Sequence, residues 1–92
     1  MEIQFSVQIF KEGRLYVAYT PDLDVSSCGG TEKKATANLL ESVRLFLKEA
    51  SKMGTLRQIL EEAGFVKRKS TLQRPKPITT KQASLPLTLS DD

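Results

Sequence analysis

Ile3, Phe5, Val7 and Ile9 alternate with Gln4, Ser6 and Gln8, the two-residue period of a strand with one buried face. Lys11-Glu12-Gly13-Arg14 follows as a short turn in which Gly13 is free to take positive φ. Leu15, Val17 and Tyr19 alternate with Tyr16, Ala18 and Thr20, so a second strand returns antiparallel to the first. Pro21 has no N–H for a ladder and ends or bends that strand near Asp22. The run from Asp22 to Cys28 fits a short third strand, closed by Gly29-Gly30.

From Thr31 the period changes to that of a helix. Thr31 is a good N-cap, and Glu32 suits the positive end of the helix in its first turn. Ala35, Leu39, Val43, Phe46 and Ala50 form an apolar stripe that Leu40 and Leu47 widen, with Lys34, Asn38, Glu41, Lys48 and Lys52 opposite. The spacing predicts a helix over residues 32–53, in which burying Leu39, Val43, Phe46 and Leu47 contributes about 1.5–3 kcal/mol each. Gly54 suits the C′ position. Thr55-Leu56-Arg57-Gln58 then restarts a helix with capping-box spacing, apolar at Leu56, Ile59, Leu60 and Ala63 and stopped by Gly64.

Phe65-Val66 starts a short strand in this reading, and residues 67–83, rich in basic, polar and proline positions, form a weakly structured arm. Ser84 to Leu89 alternates again and is a candidate edge strand, in its own sheet or a neighbour's, with Pro86 favouring the edge. The expected fold is α+β: a three-stranded antiparallel sheet with one long packed helix in β-β-β-α order, a second short helix and a C-terminal arm. The division falls between a folded unit, 1–66, and a basic, proline-containing arm, 67–92.

A chain of 92 residues has room for one domain with a thin core. Self-association as a homo-oligomer is the general expectation for so small a body. No run of 18 apolar residues exists to cross a membrane, and Met1 to Phe5 lacks the basic and apolar regions of a signal peptide. One cysteine excludes an internal disulfide. A cytoplasmic location is expected. The net charge of +3 is uneven: residues 1–65 carry nine acidic and eight basic groups, net −1, and residues 66–92 carry six basic and two acidic groups, net +4.

The inventory for catalysis is thin. There is no histidine to act as general base or metal ligand, and so none to activate Cys28. Gly29-Gly30 lacks the spacing and lysine of a phosphate loop. No catalytic residue, cofactor or metal is therefore assigned. The one catalytic alternative is a residual metal-dependent nuclease using Asp22 and Asp24, two carboxylates on one side of an extended segment; the plain reading is turn chemistry after Pro21. Lys67, Arg68, Lys69, Arg74 and Lys76 can neutralise phosphates and make the arm a candidate nucleic-acid binder, although no aromatic residue stands among them for base stacking. Of the aromatic residues, Phe5, Tyr19, Phe46 and Phe65 are core by phase. Phe10 and Tyr16 fall on the face opposite Ile9 and Leu15, so a contact surface is expected there.

The run Gly13-Arg14-Leu15-Tyr16-Val17-Ala18-Tyr19-Thr20-Pro21-Asp22-Leu23-Asp24-Val25 resembles the hairpin and following turn of the HicB-like antitoxin family. So does Cys28-Gly29-Gly30-Thr31-Glu32 with Ala35, Asn38-Leu39, Glu41-Ser42 and the apolar helix to Ala50. The likeness spans roughly residues 3–65. It implies a partial RNase H-like fold without the nuclease carboxylates, and a partner, a HicA-like mRNA-cleaving toxin, whose active surface the domain masks. Phe10, Tyr16, Asp22 and Asp24 are the partner-contact candidates. Members usually continue into an operator-binding helix-turn-helix or ribbon-helix-helix segment. Only three residues follow Leu89, so that segment is expected to be missing here.

Overall fold

The computed structural model describes residues 1–89. Ser90, Asp91 and Asp92, the last two of which enter the arm's charge balance, lie outside the described residues. The elements are β1 (Glu2–Ile3), β2 (Gln8–Glu12), β3 (Leu15–Thr20), β4 (Val25–Gly29), α1 (Glu32–Met53), α2 (Leu56–Glu62), β5 (Val66–Arg68) and β6 (Thr71–Gln73). The fold is α+β. β2, β3 and β4 form an antiparallel sheet in that order, with α1 packed on β4 and β3. A second, mixed sheet has the order β1-β6-β5, with β1 parallel to β6.

The long helix keeps its predicted bounds because both ends are chemically marked. Thr31 Oγ1 accepts from the Lys34 N–H at 3.0 Å, and Gly54 closes the helix in the left-handed region at φ 76°. The capping box expected at α2 does not form. Thr55 makes no side-chain cap bond, and Gln58 donates to Glu62 one turn on instead. The expected apolar stripe is also narrower than its widest reading: Ala35, Leu39, Val43 and Ala50 are buried, while Leu40 is exposed.

The first strand divides. Its N-terminal end, β1, pairs with β6 in the second sheet, and β2 runs on through Lys11 and Glu12. The hairpin loop is therefore only Gly13-Arg14, joining Glu12 to its partner Leu15, with Gly13 at φ 61°. A two-residue loop fixes the register, and the register fixes which side chains share a face. Ile9 lies opposite Ala18, and Lys11 opposite Tyr16, on the side of α1. Phe10 lies opposite Val17, so the outer face receives Phe10, Leu15, Val17 and Tyr19. This corrects the expected phase of β3: the small, inward set is Ala18 and Thr20, with Tyr16 packed at the margin of the core.

The third strand begins three residues later than expected. Residues 21–24 are turn, Asp24 sits at φ 55°, and pairing with β3 starts at Val25. Val25, Ser27 and Gly29 lie across from Thr20, Ala18 and Tyr16 on the helix side. Small residues are needed there because the helix comes very close. A Cβ at Gly29 would lie 2.7 Å from the Ala35 nitrogen, a contact only glycine escapes.

The arm is less loose than its composition implies. Val66–Arg68 and Thr71–Gln73 form a hairpin through Lys69-Ser70, with Lys69 at φ 56°, and β1 adds to it in parallel. Pairing with the N-terminus supplies the order that local propensity lacks. The boundary drawn between residues 66 and 67 falls inside β5. Residues 74–89 carry no helix or strand.

Thr20 is fully buried, and its Oγ1 has no hydrogen-bond partner among the described residues. An unpaired buried hydroxyl costs about 1–3 kcal/mol, whereas valine keeps the same shape. Thr20→Val is expected to raise stability by about 1 kcal/mol in urea denaturation. A loss of stability would show that the hydroxyl is bonded in solution.

Candidate functional site

The outer face of the β2-β3-β4 sheet carries a group of accessible apolar side chains. Phe10 is 48% exposed and Leu15 49%, on either side of half-buried Val17 and Tyr19, and exposed Cys28 lies opposite Val17 on β4. It faces solvent because α1 occupies the opposite side. Contiguous apolar surface of this kind on a small domain marks a place of contact. Phe10 stands on this face as expected. Tyr16 does not: it turns to the helix side, where Lys11 Nζ lies 5.6 Å from its ring centroid.

Asp22 and Asp24 are both engaged within the chain. Asp22 Oδ2 accepts from the Ser6 N–H at 2.9 Å, and Oδ1 accepts from Arg74 Nη1 at 2.8 Å. With its side chain 10% exposed, Asp22 ties the segment before β2 and the turn after β3 to the end of the C-terminal hairpin. Asp24 Oδ1 accepts from the Tyr19 hydroxyl at 2.9 Å. The two carboxylates stand in a turn rather than side by side on a strand. Among the described residues, no three groups of the kind that hold a metal converge.

The basic candidates separate in the same way. Lys67, Arg68 and Lys69 are exposed on β5 and its turn, and Lys76 is exposed beyond it, whereas Arg74 is held by Asp22. No helix among the described residues is long and apolar enough to cross a membrane. Beside the Asp22–Arg74 link runs a groove of about 790 Å³, lined by Phe5, Val7, Leu40 and Pro77 among others.

No family model, curated protein or solved structure matches this chain. The site has to be read from its own geometry.

Two site features were hidden from sequence reasoning. The outward set Leu15, Val17 and Tyr19 is signalled only by the loop length, which becomes readable if Lys11 and Glu12 are kept in the strand. The Asp22–Arg74 pair spans most of the chain and leaves no local signal.

Replacing Asp22 with alanine removes an acceptor from the Ser6 N–H and from Arg74. A cost of about 1–3 kcal/mol is expected, mostly from the backbone bond, since the arginine is partly open to solvent. Limited proteolysis should then cut beyond residue 73 faster than in the parent, and equal cleavage with unchanged stability would show that Asp22 ties nothing down.

The Tyr19 phenol titrates above the ordinary value of 10.0, first because it donates to Asp24, then through modest desolvation and the charge of Asp24. The neutral phenol is the favoured folded form. This contribution is therefore fully present below the unfolded pKa of about 10 and is lost as pH rises through the higher folded value. Asp24→Asn should lower the Tyr19 transition in an ultraviolet absorbance titration; an unmoved transition would contradict the bond.

Proposed function

We propose that this chain is a cytoplasmic, non-catalytic protein-binding module that resembles a HicB antitoxin and masks a HicA-like mRNA-cleaving toxin. The observation that carries the reading is the bare sheet face bearing Phe10, Leu15, Val17 and Tyr19. A rigid sheet with an aromatic anchor among aliphatic neighbours buries a partner's apolar surface without reorganising, so little ordering entropy opposes binding. The absence of histidine and the engagement of both aspartates in bonds within the chain agree with occlusion rather than chemistry. The body is close to neutral, so recognition of a basic partner rests on shape and burial more than on long-range attraction.

Specificity within this reading belongs to Phe10. It protrudes at the free edge of the sheet, whereas Val17 and Tyr19 are partly enclosed by neighbouring strands. The exposed cations Lys67, Arg68 and Lys69 support a competing reading, direct nucleic-acid binding, and one experiment separates the two. The full chain is titrated into a purified HicA-like protein while RNA cleavage by that protein is followed. Cleavage is expected to fall stoichiometrically, and Phe10→Asp to weaken inhibition at least tenfold with the fold intact by circular dichroism. No complex at micromolar concentration would remove the masking reading. RNA binding by the chain alone that collapses with added salt would favour the competitor.

A further inference from the structure

β2 is an edge strand, and all five of its residues are exposed. The other edge of the same sheet is guarded. α1 packs along β4, and Asn38 Nδ2 donates to the Cys28 carbonyl at 2.8 Å, taking up a backbone acceptor of that strand. The free edge of β2 offers backbone donors and acceptors to any strand that arrives, with Phe10 beside it.

The chain carries a segment of the matching kind. Leu85, Leu87 and Leu89 alternate with Pro86 and Thr88, and the three leucines are 90%, 80% and 76% exposed. In a strand, residues two apart turn their backbone groups to the same side. If the three leucines bond to β2, Pro86, which has no N–H, faces outward, the one side of an edge strand where proline does no harm.

Two observations point to an acceptor edge on a second copy rather than on the same chain. Arg74 is pinned to Asp22, and residues 74–89 carry no strand, so within the single chain the arm leaves the edge of β2 unpaired. The arm instead extends from the body: the molecule measures 49 × 31 × 30 Å with a radius of gyration of 16.7 Å, against roughly 12 Å for a compact chain of this length. Residues 75–83 span up to roughly 33 Å, enough to reach a neighbouring molecule.

We propose that Ser84–Leu89 of one copy adds as a strand to the free edge of β2 in a second copy, and that reciprocal exchange closes a two-fold dimer. The added strand runs parallel to β2, so that Leu85, Leu87 and Leu89, with their backbone groups turned to β2, lie on the side of Phe10 and widen the outer apolar face by one strand. The exchange is independent of the masking reading and stands or falls separately.

The test uses the full chain with Cys28→Ser, prepared in two forms of different size, one with Phe10→Cys and the other with Leu85→Cys, Leu87→Cys or Leu89→Cys singly. After mixing under mild oxidation, a disulfide-linked mixed dimer is expected from at least one leucine position. Ile9→Cys, on the opposite face, should give none. Leu87→Asp, at a site exposed in the single chain, should keep the circular dichroism spectrum and weaken dimerisation at least tenfold in analytical ultracentrifugation. Several results would overturn the proposal: a dimer that survives removal of residues 84–92, a monomer at every concentration, or disulfides that form only between like forms at all three leucine positions.

Discussion

The close seat of α1 on β4 is the constraint from which the rest of the structure follows. At Gly29 the helix backbone comes so near that no side chain fits, and the residues around this contact are correspondingly small: Ala18, Thr20, Ser27 and Ala35. Asn38 fastens the same junction through the Cys28 carbonyl. A helix drawn this tightly to one edge of a three-stranded sheet lies over β4 and β3. β2 is left with both faces in solvent, and the main core cluster is small: Ala18, Ala35, Leu39 and Val43 with a fringe of partly buried neighbours. Close packing is local, and its consequence is an open edge and an open face on the far side.

A second junction holds the two ends of the chain to this body. Asp22 follows Pro21 in the turn after β3, where it collects the Ser6 N–H and the Arg74 guanidinium. A nearly enclosed carboxylate needs such partners, because an unpaired one costs more than the bonds return. The result is that β1 and the β5-β6 hairpin form a small sheet of their own without a large core beneath it. Phe65 is buried at the entrance to β5.

The helices were legible because their signals are local and redundant. Thr31, Gly54 and the spacing of Ala35, Leu39 and Val43 all mark the same element. The capping box at Thr55 was a local pattern without such support, and it does not form. The sheet was legible in its order but not in its phase. Alternation says that two faces differ without saying which is inward, and Leu15, Val17 and Tyr19 are the more hydrophobic set although they face out. What decides the matter is a helix close enough to demand alanine and threonine, which is tertiary information. The β5-β6 hairpin was illegible for a related reason: Lys67 to Lys69 have weak strand propensity, and their order comes from β1, more than sixty residues away. Of the candidate site, Phe10 was legible from its strand phase alone, whereas the roles of Tyr16 and Asp22 depended on partners distant in sequence.

An open edge beside an apolar face ordinarily invites indiscriminate association, and the sequence around β2 limits which partner is accepted. Lys11 and Glu12 close the C-terminal end of the strand with charge, and Asp22 consumes the Ser6 N–H just before its start, leaving a short window centred on Ile9 and Phe10. A strand that enters this window meets the charges of Lys11 and Glu12 at one end and the Asp22–Ser6 link at the other. Pro86 imposes the reciprocal limit on the segment Ser84–Leu89, since it can offer only one side to a neighbour. Two short elements, each blocked on one side, can pair once and then stop. That geometry favours a closed assembly over an open chain of stacked copies, and it leaves the face of Phe10, Leu15 and Val17 free for a different partner.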